Sequence, residues 1–287
     1  MLLEIDRIQL AVPETATAVE KWQSLLGATV ADEDRVSCLG AKRTRLRLGT
    51  GVVEILEADG TGIIGDAVAA RGAHLFAAGA SCRDVGELHN TLESRFGEIR
   101  AEGNQLFING SDIGIDGLRM VVSQQEDRAI VGDIDFFYEA TLLAENADSE
   151  SEKFCKAFGL DDQHFVPINS PHFGYSGTLT LFRKDLLHRF EIITPSDAGN
   201  TMGRFFNKFG PGLYMAYAET PHLREIEQRV KNRGEAITVD RPEGRDENMT
   251  PDGMWLHPLS LGGMMLGLSR PTKAWQWSGH PERVEAI

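Results

Sequence analysis

Residues 4–12, EIDRIQLAV, alternate between apolar and polar: Ile8, Leu10 and Val12 fall on one face of an extended chain, Arg7, Gln9 and Ala11 on the other. Pro13 and Thr15 then open a helix whose apolar positions Val19, Trp22, Leu25 and Leu26 recur at helical spacing, and Gly27 closes it. Three short strands are predicted after it, near 28–39, 43–48 and 51–56. From Gly72 the same order returns: a strand over 74–82, a helix over 84–96, and strands near 98–102, 105–109 and 117–123. A polar stretch, QQEDRAIVGD (124–133), reads as a linker. Beyond it the opening repeats, with EKFCKAFG (152–159) matching EKWQSLLG (20–27) aromatic for aromatic and glycine for glycine. A fourth copy runs from Gly212 through a helix over 221–233 to a final strand, Gly263–Ser269.

The clearest internal copy is longer. RFEIITPSDAGNTMGRFFNKFGPGLYMAYAET (189–220) reads as a buried strand, a polar break, a short amphipathic helix, a glycine corner and a second strand. VVEILEADGTGIIGDAVAARGAHLFAAGASC (52–82) has the same order, with Gly72 on Gly210 and Cys82 on Thr220 and no gap. Repeats of this size decide architecture before local propensities do. A strand-helix-strand-strand-strand unit has an open, one-sided sheet, so two must pair to close a core. The fold expected is α+β: four tandem units forming two cup-shaped mixed sheets. Residues 1–125 make the first domain, 126–133 the linker, 134–271 a second, site-bearing domain and 272–287 a tail, whose Trp275 and Trp277 are expected to anchor it.

A chain of 287 residues with 41% hydrophobic and 25% charged residues has the balance of a globular protein with room for two cores. The formal net charge of −14 and the lack of any Lys/Arg block argue against binding a nucleic-acid backbone. No apolar run reaches the length of a membrane span, and MLLEIDRIQL lacks a signal peptide's basic region, so a cytoplasmic location is expected. The three cysteines, Cys38, Cys82 and Cys155, lie far apart and read as reduced thiols. Walker, GxGxxG, HExxH and GxSxG patterns are absent, which removes support for nucleotide, zincin and hydrolase readings.

IDRIQLAVPE (5–14), VVEILEADG (52–60), FEIITP (190–195), GPGLYMAYAET (210–220) and WLHPLSLGGMMLGLSRP (255–271) together resemble the vicinal oxygen chelate superfamily. That superfamily comprises glyoxalases, methylmalonyl-CoA epimerases, extradiol dioxygenases and fosfomycin or bleomycin resistance proteins. The likeness covers about residues 4–271 and implies the glyoxalase/dioxygenase-like fold in a two-domain member. It also implies four cup-facing ligand positions per domain. These fall on Arg7, Glu54, Ala77 and Val121 in the first half, and on Glu139, Glu191, Met215 and Gly267 in the second. Neither set retains the superfamily's full complement of His and Glu ligands.

Strand alternation sends Glu139 and Thr141 to the second cup, with Glu191 from a neighbouring strand and Met215, Tyr217, Trp255 and His257 from the fourth unit. Such a lining suits a small organic ligand with a carbonyl or ring. Two close carboxylates cannot both ionise freely, so Glu139 and Glu191, with His257, are the expected catalytic groups for lyase or isomerase chemistry. The bland reading pairs one Glu with Arg183, Arg189 or Arg204. No cofactor is the primary expectation, with a divalent ion on Glu139, Glu191 and His257 as the alternative. Arg7, Gln9 and Glu54 face the first cup, either to hold a substrate carboxylate or as an internal Arg–Glu pair. His74 and His89 lack ligand spacing, and His164, His172 and His188, in the third unit's loops and strands, are given no more than a place at the rim. Other functions left open are sequestration of a small molecule without turnover and an extradiol-type dioxygenase with an unusual iron site. The expected partners are a small molecule and, as an option, a second copy of the chain.

Overall fold

The computed structural model describes residues 1–286. The first half holds β1 (Leu2–Val12), α1 (Thr15–Leu26), β2 (Thr29–Val36), β3 (Ala41–Leu48), β4 (Gly51–Ala58), α2 (Ile63–Arg71) and β5 (His74–Cys82). It continues through α3 (Val85–Phe96), β6 (Arg100–Glu102), β7 (Gln105–Asn109), a one-turn helix α4 (Gly110–Ile113) and β8 (Arg119–Gln124). The second half repeats it: β9 (Phe136–Leu143), α5 (Ala147–Phe158), β10 (Val166–Ser170), β11 (Tyr175–Leu181), β12 (Arg189–Pro195) and α6 (Thr201–Phe209). The fourth unit is β13 (Gly212–Glu219), α7 (Leu223–Asn232), β14 (Ile237–Asp240), β15 (Gly253–Leu256) and β16 (Met265–Ser269).

Each half closes into one eight-stranded mixed sheet. The strand orders are β2-β3-β4-β1-β5-β8-β7-β6 and β10-β11-β12-β9-β13-β16-β15-β14, the same path twice. β1 runs parallel to β4 and antiparallel to β5, and β9 treats β12 and β13 in the same way. The backbone repeats in detail: Gly72 and Gly210 follow α2 and α6 with φ,ψ of 70°,−154° and 71°,−163°. Only glycine visits that region without strain, which is why these two residues align in sequence.

The apolar faces of both sheets and their helices merge into one core. Ile8, Leu10, Trp22, Val53, Phe154, Leu142, Ile192, Ile226 and Leu266 all belong to it. Helix α1 packs across the molecule onto the fourth unit, where Trp22 Nε1 donates to the Leu261 carbonyl at 3.1 Å. The two halves therefore pack with their backs shared and their cups facing away from that core. The polar stretch before β9 is not a free tether: Gly49 and Val131 form a bridge, and Arg128 pairs with Asp6 at 3.2 Å.

Some element ends move. The strand predicted over 28–39 stops at Val36, because Ser37–Leu39 turns and Gly40 takes φ 62°. The last strand starts at Met265, since Gly262 and Gly263 both hold positive φ and shape a turn. None of the described helices is long and apolar enough to cross a membrane.

Candidate functional site

Two cross-strand rows build the floor of the second cup. In one, Glu191, Thr141 and Met215 stand side by side; in the next, Arg189, Glu139, Tyr217, Gly267 and Trp255 do. A register shift in β9 between Phe137 and Glu139 lets Tyr138 join the same side, packing with Leu179, Leu181 and Trp275. The matching shift in β1 falls between Ile5 and Arg7 and brings Asp6 beside Arg7.

Arg189 is wholly buried and donates from Nε to Glu139 at 2.7 Å and from Nη1 to the Leu187 carbonyl at 3.0 Å. Its Nη2 has no partner. The guanidinium lies 5.0 Å over the Tyr138 ring, which in turn stacks on Tyr217. Thr141 donates to Glu191 at 2.7 Å. Trp255 Nε1 donates to the Tyr217 hydroxyl at 2.7 Å. Gly267 makes that arrangement possible: a Cβ there would lie 2.1 Å from Tyr217 Cε1, so the ring occupies the space over the last strand.

Burial raises the proton affinity of both carboxyls. For Glu139, the next largest influence is Arg189, which opposes the rise. For Glu191, it is Glu139, which adds to the rise, while hydrogen bonds from Thr141 and Tyr175 only partly relieve it. A 2.7 Å ion pair makes Glu139 the charged member, leaving Glu191 as the group that keeps its proton. Burial and Glu191 in turn push the Tyr175 phenol well above its usual range.

The tail from residue 272 closes the cup. Ala274 and Trp275 pack with Tyr138, Leu179, Leu181 and Leu187, joined by the partly buried Val284, while Trp277 remains 36% exposed. Arg283 caps the Trp275 ring at 4.4 Å, and Arg270 donates to the Glu285 carbonyl at 2.9 Å. On the opposite rim Phe173, at the β10–β11 turn, meets Trp255 edge-on with centroids 5.9 Å apart.

The expected second-cup residues Glu139, Glu191, Thr141, Met215, Tyr217 and Trp255 do come together. His257 does not join the carboxylates. β15 ends at Leu256, and His257 sits at the rim, its Nε2 2.9 Å from Thr238 Oγ1. Among the described residues no three His, Cys, Asp or Glu side chains converge as a metal site, so the set Glu139, Glu191 and His257 is not assembled. The sequence offers Arg189 only as one of three pairing candidates and Trp275 only as an anchor of the tail with no stated place, while Tyr138 and Tyr175 carry no signal there. Tyr138 is hidden by the register shift, which strict alternation cannot show.

In the first cup Arg7, Gln9 and Glu54 also meet, and the Arg–Glu pair is what forms. Arg7 donates to Glu54 at 3.2 Å, to Asp6 at 3.3 and 3.1 Å, and to Ser123, which leaves it no free arm for a substrate carboxylate. Glu54 also accepts from Gln9 at 2.6 Å and Gln105 at 3.0 Å, with Arg43 3.4 Å away. Arg43 pairs with Asp34 at 2.6 Å. Gly79 gives Arg7 its room, since a Cβ there would meet Arg7 Cγ at 1.7 Å.

No family model matches the chain, and no curated protein matches it in sequence. Solved structures do match. A triple mutant of 4-hydroxymandelate synthase from Streptomyces coelicolor superposes with a TM-score of 0.65 at 14% identity, over 98% of this chain and 99% of that one. The chain has the two-domain vicinal oxygen chelate fold. A xylose isomerase-like TIM barrel/4-hydroxyphenylpyruvate dioxygenase fusion protein matches at TM-score 0.64 and 11% identity, over 94% of this chain and 49% of that one. At such identities the likeness carries the fold, and the chemistry rests on the residues in the cup. The resemblance implies four metal-ligand positions in each cup, but the residues present in the second do not suit a metal. Of the four positions, Met215 and Gly267 offer no hard donor, Glu139 is held by a guanidinium, and the Tyr217 ring lies over Gly267.

Proposed function

We propose that the second cup performs metal-independent proton transfer next to a carbonyl, an isomerase or lyase chemistry on a small organic acid or ketone. One observation carries this reading: the buried guanidinium of Arg189 has an unpartnered Nη2 and projects from the same face of β12 as Glu191, two residues on. A buried unmade donor costs about 1–3 kcal/mol, and a ligand oxygen would satisfy it. Neighbouring positions on one strand face lie about 6.5 Å apart, which suits a carbonyl oxygen at Arg189 and its α-carbon at Glu191.

In the step, Glu191, having first released its own proton to water, takes the α-proton, and the electron pair moves onto the carbonyl oxygen. Arg189 Nη2 holds the resulting enolate, and Glu191 returns the proton to carbon or to oxygen. Glu139 positions Arg189 and keeps it charged. A base whose proton affinity is raised by burial gives and takes protons near neutral pH. Because the tail and the Phe173 rim close the cup, substrate enters when one of them parts from it. The name of the second structural neighbour includes 4-hydroxyphenylpyruvate, which makes arylpyruvates the first class to try.

The test is proton NMR of phenylpyruvate in deuterium oxide with a chelator present, following loss of the C3 proton signal. The wild-type protein should accelerate exchange over buffer, and E191Q should lower that rate at least about 100-fold. Equal exchange by E191Q overturns the assignment of Glu191. Binding without exchange overturns turnover in favour of a sequestering protein. Exchange lost on chelation and restored by iron overturns the metal-independent mechanism and favours an oxygenase-like iron site.

A further inference from the structure

The first cup also holds unused chemistry. Its saturated ion network lines only the floor around Glu54. Toward β8 a cavity of about 140 Å³ opens, bordered by Gln9, Leu39, Phe76, Ala77 and Phe107. It shares Ile63, Phe76, Asn109 and Arg119 with an outer chamber of about 470 Å³ that also reaches Arg71 and His74. The two cavities adjoin at these four residues, the inner one against Gln9.

Both ends of this pair of cavities have unmet hydrogen-bonding capacity. At the inner end, Glu54 can only accept, so Gln9 must present its amide nitrogen to it. That leaves Gln9 Oε1 fully buried, bordering the cavity and without a partner. At the outer end stand Arg119 and Arg71. Arg119 lies 4.6 Å over the Phe76 ring, and Arg71 lies 4.6 Å over Phe209 and 5.2 Å over Phe205. Neither takes part in any ion pair or side-chain hydrogen bond among the described residues. Burial lowers the proton affinity of both, and for Arg71 the nearby Arg119 adds to it, as expected of cations with no anion between them.

The register sets the spacing. Gln9 stands opposite Ala77, and Arg119 precedes Met120, which stands opposite Ala78. Gln9, Ala77 and Arg119 therefore share one row across three adjacent strands, with about 9–10 Å between the outer two backbones. One aromatic ring with a short acid chain bridges such a distance.

We propose that the first cup is a second ligand site, distinct from the Glu191 cup, for an aryl carboxylate bearing a hydroxyl at the far end of its ring. The carboxylate bridges Arg119 and Arg71, the ring lies between Phe76 and Phe107, and the phenol donates to Gln9 Oε1. The donor at the inner end separates this ligand from a plain aryl acid, because an apolar tip would leave Gln9 unsatisfied.

Isothermal titration with 4-hydroxyphenylacetate and with phenylacetate tests this on the intact protein. The hydroxylated acid should bind at least tenfold more tightly. R119M should weaken it at least tenfold, and R71M, further out, by a smaller factor, while phenylpyruvate exchange and the near-ultraviolet circular dichroism stay unchanged in both. E191Q should leave the titration unaltered, which separates the two cups. Equal affinity for the two acids overturns the role of Gln9. Binding lost in E191Q but kept in R119M, or absent in the wild type, overturns the site.

Discussion

The two cups are built on one strand path, yet their interiors balance charge differently. The first sets Arg7, Arg43 and Arg128 against the buried Asp6 and Glu54 and the exposed Asp34, so both buried carboxylates there have a cation within 3.4 Å. The second sets Arg189 against Glu139 and leaves Glu191 with only hydroxyl partners. A balanced set of buried charges is structure, because any change of protonation would strand a partner. One carboxylate in excess needs a proton, and a group that must hold a proton in the folded state is a group that can deliver one. The difference in stoichiometry, not in fold, separates a cup whose buried charges are all paired from one that holds a proton.

The strongest way to break this comparison is to unbalance the first cup. Glu54→Ala strands Arg7, Arg43, Gln9 and Gln105 together, and should cost about 3–5 kcal/mol in urea unfolding. A loss under about 1 kcal/mol would show that the network contributes little. Gly267→Ala probes the second cup more gently. The added methyl must displace the Tyr217 ring, for about 1–3 kcal/mol, and should shift Trp255 fluorescence by disturbing its bond to Tyr217. Unaltered fluorescence and stability would mean the ring has another place to go.

The smallest effect expected is a slope with pH. Glu191 binds its proton more tightly in the folded chain than the ordinary carboxylate value of 4.5, so the folded state retains a proton that the unfolded chain releases. Its contribution is therefore complete below 4.5 and is lost as pH rises toward the folded value. The urea midpoint should fall with pH over that window, and E191Q should flatten the fall. Glu219, raised by burial to about 7, should leave a residual slope between 4.5 and 7 in the variant. An unchanged slope in E191Q would show that Glu191 is ionised like an exposed acid.

The sequence made the architecture legible because glycines and periodicity survive duplication. Gly72 with Gly210, and Gly27 with Gly159, mark the same backbone corners in each copy. Alternation also placed Glu139, Thr141 and Glu191 correctly, since these strands are regular there. It failed where one residue is added to a strand, at Asp6 and Tyr138, because a register shift reverses the parity that alternation relies on. The choice among Arg183, Arg189 and Arg204 as the carboxylate's partner was equally out of reach, for only the parallel register of β12 on β9 sets Arg189 opposite Glu139. His257 looked like a ligand by parity, but the strand ends one residue before it.

The tail that seals the second cup orders events during synthesis. The first half has all its strands and the stretch through Arg128 once about 130 residues have left the ribosome, and domains fold as they emerge. The second sheet gains its last strand at Ser269, yet Tyr138, Leu179 and Leu181 stay uncovered until Trp275 and Val284 arrive. During that interval the nascent chain carries Tyr138, Leu179 and Leu181 without the cover that Trp275 and Val284 give them. Removing the chain after Ser269 should therefore leave the second sheet complete in strands but with this apolar patch open to water.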